Sequence, residues 1–439
     1  MNTFTVPRGT SDILPDATPL WEALEFLARK ICKSYGYREI RTPIFEDVNL
    51  FKRSLGATTD IVNKQLLELV SSQREKPAES GSNGDRIFLN EYALRPEGTA
   101  AVVRSYLENS LDKIEPLSKL FYIGPMFRGE RPQKGRLRQF HQIGVEAIGP
   151  NSSSPLLDAE VITLAMHLLK ELGVKEPQLK INSLGSKEDK ARISTWLRGE
   201  LAKQKERLCP ECQARFERNV FRVLDCKNES CKKVVASLVK DLPLSTPSQE
   251  YFAQVQAALN SVKVPFEVSP HLVRGLDYYT HTVFEITAAG ELGSQDAVGA
   301  GGRYNGLVHE LGGNPKVSYG AIGFALGIER ILLAIGESSV PLSGVAVYIM
   351  AMKEEYQPLA FLVMQLLRKS GISADMSFIG GSMKSQMGKA DKAGARFSLI
   401  IGEDEVKNNS IAVKNMETST QESVALGGIV EHLIKVLSS

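Results

Sequence analysis

The stretch LFYIGPMFRGERPQKGRLRQFHQIGVEAIGP, residues 120–150, decides the fold. Two strand-like runs, Phe121–Phe127 and Phe140–Ile148, flank a loop dense in Arg, Lys, Gln and Gly. Side chains alternate between the two faces of a strand. On the second run Phe140, Gln142, Gly144 and Glu146 therefore share one face, and Ile143, Val145 and Ala147 share the other. The first run carries Tyr122, Gly124, Met126 and Arg128 in phase, with Glu130 just beyond. The pattern is a hairpin with an apolar back for a core and a front of Arg, Glu, Gln and aromatic groups. Such a front suits an anionic ligand with a flat ring. Arg clamps phosphate through two parallel N–H groups, and Phe140 or a guanidinium plane stacks on a base. A sheet with a solvated, salt-bridged face fits the same residues.

The totals bound the rest. A chain of 439 residues implies two to four domains. Its composition is that of a soluble globular protein. With a net charge of only +2, any nucleic-acid surface must be local. No apolar stretch approaches the ~20 residues that span a bilayer. The opening MNTFTVPRGTSDILP lacks the apolar core of a secretory signal, so a cytoplasmic location is expected. Five cysteines then suggest free thiols or a metal site rather than disulfides.

Along the chain, Leu20, Leu24, Leu27 and Ile31 mark one face of a helix that closes near Gly36, with Cys32 as a small core residue. Tyr37–Glu46, YREIRTPIFE, is strand-like, and Pro43 inside it points to an edge or an interface. Ser71–Asp85 is polar and reads as a mobile loop. Tyr92–Ala101 passes from strand to helix at Gly98, with Arg95, Glu97 and Thr99 at the junction, where Glu and Thr also serve as helix-start groups. Pro155–Leu172 reads as an amphipathic helix, and residues 179–186 as a strand and turn. From Lys187 to about Gln249 the chain is charged and mostly helical, while strand patterns resume on both sides. It reads as an inserted helical domain.

GAGGRYNGL, residues 299–307, lets backbone approach a ligand but lacks the Lys of a phosphate-binding P-loop. Tyr319–Ile335 is a strand running into an apolar helix on which Arg330 wants a partner. A linker, Glu337–Gly344, precedes a fresh alternation of strand 345–350, helix 359–367, strand 374–378, helix 384–392 and strand 397–402. Such alternation implies a largely parallel sheet. Lys384, Gln386, Lys389 and Lys392 form one basic face, which a solvated helix surface also explains. The six histidines are scattered, and none pairs as a metal ligand or a general base.

The remaining cysteines read Cys209-x2-Cys212 and Cys226-x4-Cys231. Structural zinc takes four soft ligands in two close pairs. The spacing is nearly right for a zinc site at Cys209, Cys212, Cys226 and Cys231, though the second pair is loose, and reduced structural thiols are the preferred reading. No metal is assigned.

Taken together, these motifs resemble class II aminoacyl-tRNA synthetases, specifically the histidyl-tRNA synthetase family. MFRGERPQKGR–RQFHQIGVEAIG is similar to the second class II motif, the segment around Pro43 to the first, and the Tyr319–Ile335 segment to the third. LVRGLDYYTHTVFEI (residues 272–286) and GAGGRYNGL resemble the two histidine-specific motifs. The resemblance runs from Arg8 to about Glu405. It departs from the family at IVNKQLLELV (residues 61–70), at Leu137, where an aromatic is common, and at Asn305, where Asp is usual. Asn305 is assigned no role.

The implied fold is α+β. An antiparallel-sheet catalytic domain (residues 1–186 and 256–336) is interrupted by the helical insertion (187–255), and a C-terminal α/β anticodon-binding domain follows (344–439). The implied reaction joins histidine to the α-phosphate of ATP, releases pyrophosphate, and then transfers histidine to the terminal ribose of tRNA(His). The resemblance assigns Arg128 and Arg274 to the α-phosphate as catalytic residues. It gives ATP Arg128, Glu130, Arg136, Phe140 and Arg330. Histidine receives Glu97, Thr99, Gln142, Glu146, Arg274, Tyr278, Tyr279 and Tyr304. The tRNA receives Gln133 and Lys134 at its acceptor end, and Lys384, Gln386 and Lys389 elsewhere. Mg2+ is expected with ATP, zinc is not, and a homodimer is expected from the first motif. A non-catalytic, histidine-binding regulatory subunit of histidine biosynthesis is the competing class. Its pattern lacks the C-terminal domain and has damaged motifs. A synthetase-like sensor joined to a kinase is a third, and the chain carries no kinase-like motif.

Overall fold

The computed structural model describes residues 4–56, 59, 61–69, 91–239, 242–289, 296–336 and 344–438. The expected loop Ser71–Asp85, and the linker up to residue 343, lie outside them. Two compact units emerge: residues 1–14 with 21–338, and residues 15–20 with 339–439.

In the first unit the strands run β1 (Arg38–Glu39), β2 (Phe45–Asp47), β3 (Glu68–Leu69), β4 (Tyr92–Leu94), β5 (Ser118–Phe127), β6 (Gln139–Pro150), β7 (Gln178–Ser183), β8 (Glu267–Val268), β9 (Thr280–Thr287), β10 (Ala297–Arg303) and β11 (Tyr319–Gly327). Eight of them form one sheet in the order β1-β5-β6-β11-β10-β9-β7-β8. Pairing is antiparallel except at the two margins, β1 with β5 and β7 with β8. The hairpin expected from residues 120–150 is β5 and β6, in register from Ser118 opposite Ile148 to Phe127 opposite Gln139.

Alternation gives the sheet its apolar back. Phe121, Ile143, Val145, Ile322, Phe324 and Phe284 pack there against Ile162 and Leu168 of the helix Pro155–Glu171 and Val255 and Leu259 of the helix Thr246–Ser261. Each such side chain contributes roughly 1.5–3 kcal/mol relative to exposure. The helix Thr246–Ser261 thus belongs to the sheet's own core, so the insertion boundary expected near residue 255 falls inside that helix. The insertion is otherwise helical as expected, with Lys187–Ala202, Pro210–Arg218 and Glu229–Leu238.

Two expectations shift in detail. The helix Thr18–Ser34 buries Leu24, Ala28, Ile31 and Cys32, while Leu20 and Leu27 are only half-buried. Its apolar stripe is therefore offset from the expected face. The run Tyr37–Glu46 is split at Pro43: β1 joins the large sheet, whereas β2 joins a small one of order β2-β4-β3. Buried Arg95 braces that break by donating to the carbonyls of Thr42 (2.9 Å), Pro43 (3.3 Å) and Pro125 (2.9 Å).

In the second unit β12 (Val347–Ala351), β13 (Ala374–Met376), β14 (Phe397–Ile401), β15 (Ser410–Asn415) and β16 (Gln421–Ala425) form a sheet of order β13-β12-β14-β15-β16. The first three are mutually parallel, as the alternation implied, and the last two add an antiparallel hairpin. Helices Gln357–Lys369 and Ile429–Ser438 cover one face, and Met383–Lys392 covers the other. Here the structure corrects Gln386. It is buried, and its amide donates to the carbonyls of Ala351 (2.9 Å) and Gly381 (2.8 Å). One side of that helix must face the sheet, and Gln386 lies on it. Lys384 and Lys392 are exposed, and half-buried Lys389 donates to Ser377 Oγ at 2.7 Å. Among the described residues no helix is long and apolar enough to cross a membrane.

One buried ion pair locks the large sheet to the helix behind it. Arg303, ending β10, donates through Nε to Asp158 of the helix Pro155–Glu171 at 2.9 Å, and both side chains are fully buried. Thr282 donates to the same carboxylate at 2.6 Å. Asn305 completes the network: its Oδ1 accepts from Arg303 Nη1 (3.0 Å) and from the backbone N–H of Ala321 (2.9 Å). A carboxamide thus suffices where the family usually has Asp. Replacing Asp158 leaves a guanidinium in the dry interior. Asp158→Ala is expected to cost about 3–5 kcal/mol of unfolding free energy in urea denaturation. A loss below about 1 kcal/mol would contradict this role.

Candidate active site

The front of the sheet is built around missing side chains. Register sets Glu146 beside Gly323 and Gly302, and sets Gly144 beside Ala325, Ala300 and Glu285. Glycine and alanine leave a hollow at the centre of the sheet, a cleft of roughly 410 Å³. A Cβ on Gly323 would collide with the Glu146 carboxylate, and one on Gly98 or Gly144 would collide with the Tyr122 ring.

Glu146 lies fully buried under this hollow. Its carboxylate accepts from Thr99 Oγ1 at 2.7 Å, from the Tyr304 hydroxyl, and more distantly from the Tyr122 hydroxyl at 3.5 Å. Burial outweighs these donors and pushes the carboxyl up to about 8. Glu97 stands at the start of the helix Thr99–Glu108 and accepts the backbone N–H groups of Thr99 (2.7 Å) and Ala100 (2.9 Å). It is therefore a helix-start group that also faces the cleft. Burial raises its carboxyl as well. Tyr278, Tyr279 and Tyr304 form an aromatic wall, with ring centres 4.6 Å apart for the first pair and 5.7 Å for Tyr278 with Tyr304.

Cations line the other end. Arg128, leaving β5, donates Nε to the Pro96 carbonyl at 2.9 Å, and its guanidinium sits 5.1 Å over the Phe140 ring. A base stacking on Phe140 shares that ring with Arg128. Arg136 lies 3.5 Å from Glu130. Arg330 enters from the helix Ile328–Ile335. Arg274 is paired with Glu285, yet its Nε is buried with no hydrogen-bond partner, and so is Gln142 Oε1. Both residues line the hollow, and each carries one buried polar atom that the protein leaves without a hydrogen bond.

Of the residues expected in the site, Glu97, Thr99, Arg128, Glu130, Arg136, Phe140, Gln142, Arg274, Tyr278, Tyr279, Tyr304 and Arg330 line this one cleft, with Leu137 at its edge. Glu146 supports it from below through Thr99 and Tyr304. Gln133 and Lys134 sit on the exposed tip of the β5–β6 loop. Sequence reasoning missed Glu285, Arg222 and Glu329. Alternation along β9 places Glu285 two residues from Val283 on the front face, a signal that was present. Arg222 arrives from the insertion, which no local pattern reveals. Glu329 accepts the backbone N–H of His141 (2.9 Å) and lies 2.9 Å from His141 Nδ1. His167 and His432 likewise lie near carboxylates, 3.9 Å from Glu171 and 3.2 Å from Glu422.

Comparison with known proteins gives the following. The family model described as histidyl-tRNA synthetase matches residues 9–331, and an anticodon-binding-domain model matches residues 345–436. The chain is 45% identical over 436 residues to the histidine–tRNA ligase of Halothermothrix orenii, covering 98% of this chain and 99% of that one. The crystal structure of apo S. aureus histidyl-tRNA synthetase matches with a TM-score of 0.77 at 35% identity, over 98% of this chain and all of that one. An ATP phosphoribosyltransferase regulatory subunit/histidyl-tRNA synthetase from Bacillus halodurans C has the same fold, with a TM-score of 0.63 at 19% identity over 91% of this chain and 98% of that one.

The raised Glu146 carboxyl gives a testable pH dependence. The fold favours its protonated form, so that stability is complete below the ordinary carboxylate range and is lost as pH rises through about 8. Relative to Glu146→Gln, the unmodified chain should lose thermal stability from about pH 5 to about pH 8 and then level off. Parallel melting curves across that range would contradict the assignment.

Proposed function

The chain belongs to the histidyl-tRNA synthetase family, and we propose that it is a histidine–tRNA ligase whose adenylation site is the cleft on the front of the large sheet. The observation that carries this reading is the convergence of Arg128, Arg274 and Arg330 with Glu97 and the Glu146 network around one hollow. Arginines for phosphates, with Glu97 and the tyrosine wall for an amino acid, suit a triphosphate and an amino acid held in one cleft.

In the first step a carboxylate oxygen of histidine attacks the α-phosphorus of ATP, and the bond to the bridging oxygen breaks to release pyrophosphate. Little covalent chemistry falls to the protein, so positioning and charge stabilisation dominate. Arg128 and Arg274 hold the α-phosphate as charge builds there. Their work is electrostatic, because a guanidinium stays protonated at any working pH. Phe140 and Arg330 hold the adenine, Glu130 reaches its amino edge, and Arg136 meets the distal phosphates. Mg2+ bound with ATP supplies charge neutralisation at those phosphates. Glu285, which also lines the cleft, is an oxygen donor of the kind that would hold such an ion.

Glu97 takes the substrate's α-ammonium. Glu146, with Gln142, Tyr278, Tyr279 and Tyr304, reads the imidazole. A buried acceptor matched to an N–H rejects isosteres that lack one, because it would be left unpaired. In the second step a hydroxyl of the terminal ribose of tRNA(His) attacks the activated carbonyl, and AMP leaves. Exposed Gln133 and Lys134 are positioned to touch the acceptor end. On the second unit, Lys384 and Lys389 remain the tRNA contacts, without Gln386.

The regulatory reading is disfavoured by the three intact arginines and by the anticodon-domain match. Likeness to the regulatory subunit reaches the fold alone. A homodimer is supported by the exposed apolar residues Ile44 and Phe45 beside Pro43, with Tyr92 on the adjoining strand. A cytoplasmic location goes with this reading.

Arg274→His tests the mechanism. Histidine-dependent ATP–pyrophosphate exchange should fall by roughly 10²–10³ with the circular dichroism spectrum unchanged. Undiminished exchange would remove Arg274 from the reaction. Charging of a tRNA(His) transcript with labelled histidine by the unmodified chain should proceed, and failure would overturn the ligase reading.

A further inference from the structure

Four cysteines of the insertion take no part in the cleft. Cys209 immediately precedes the helix Pro210–Arg218, and Cys212 lies in its first turn. Cys226 stands just before the helix Glu229–Leu238, and Cys231 lies in that helix's first turn. Each pair thus straddles a helix start, and their sulfurs converge. All four Sγ atoms lie within 4.8 Å of one another, with Cys209 and Cys226 at 3.9 Å. Zinc bonded tetrahedrally to sulfur at ~2.3 Å spaces its ligands ~3.8 Å apart. The loose x4 spacing is no obstacle, because Cys226 sits in irregular chain before its helix.

The surroundings suit thiolates. The Cys209 backbone N–H donates to Cys231 Sγ at 3.2 Å, and the Asn228 N–H donates to Cys226 Sγ at 3.4 Å. Such bonds orient a sulfur ligand and offset its charge. Cys212 and Cys231 are buried, while Cys209 and Cys226 are half-buried, which leaves an entry path for an ion. No pair is joined as a disulfide.

We propose that Cys209, Cys212, Cys226 and Cys231 bind one zinc ion as a closed, structural tetrathiolate site. Binding displaces the thiol protons and leaves no open coordination position, so the site holds structure rather than performing chemistry. What it holds is the segment between the two cysteine pairs. That segment carries Asn219, which donates to Asp277 at 2.7 Å, and Arg222, which lines the cleft and donates to Asp225 at 3.2 Å. The zinc site fixes the part of the insertion that delivers an arginine to the cleft.

The test needs no catalysis and so stands or falls apart from the ligase reading. Full-length chain, expressed with zinc in the medium and purified without chelator, should contain about one zinc per chain by elemental analysis. Exchange with Co2+ should give the sulfur-to-metal charge-transfer and visible bands of tetrahedral thiolate cobalt. Cys212→Ser/Cys231→Ser should abolish both signals. In case that variant fails to fold, mercurial titration of the unmodified chain should release zinc in step with four thiols. Purified chain with zinc far below stoichiometric, or a disulfide within the quartet by mass spectrometry, would overturn the proposal.

Discussion

A carboxylate buried at the centre of a sheet is expensive unless donors surround it. Glu146 is such a group, and much of the front of this molecule exists to hold it. Its donors come from three places: Thr99 at a helix start, Tyr304 after β10, and Tyr122 on the neighbouring strand. Tyr122 has room for its ring because glycine stands at Gly98 and Gly144, and the carboxylate itself has room because glycine stands at Gly323. At Gly323, which also lines the cleft, the hollow and the space for the Glu146 carboxylate are the same feature, and a side chain there would cost both.

The cleft's charges are distributed with the same economy. Its arginines are anchored on different elements: Arg128 at the end of β5, Arg330 on the helix after β11, Arg274 before β9 and Arg222 from the insertion. A fifth, Arg136, lies on the loop between β5 and β6 that Arg128 opens. Their spacing is set by the sheet and by the insertion's fit to it. Like charges held this way suit a polyanion whose charge shifts during reaction, because no reorganisation is needed when it does.

Local periodicity made much of this legible. The β5–β6 hairpin, its apolar back and its polar front follow from period-2 alternation, and the register then brings Gln142, Gly144 and Glu146 to the cleft. Resemblance supplied the names of the ligands, which alternation does not contain. What stayed hidden depends on distant chain. The Asp158–Arg303 pair joins residues on a helix and a strand far apart in sequence. The split at Pro43 reflects two sheets competing for one run. Gln386 looked exposed on a lysine-rich helix, yet the helix phase turned it to the sheet. The cysteine quartet shows the same limit, since a nearly right spacing left reduced thiols preferred over zinc, while the fold gathers the sulfurs.

The most direct measurement is ATP–pyrophosphate exchange by the purified chain, driven by each proteinogenic amino acid in turn. Exchange with histidine, and with no other, is the result that the proposed imidazole-reading role of Gln142, Glu146 and the tyrosines predicts. Histidine binding without exchange, or exchange driven equally by an amino acid lacking an imidazole, would contradict the cleft as a histidine-adenylating site.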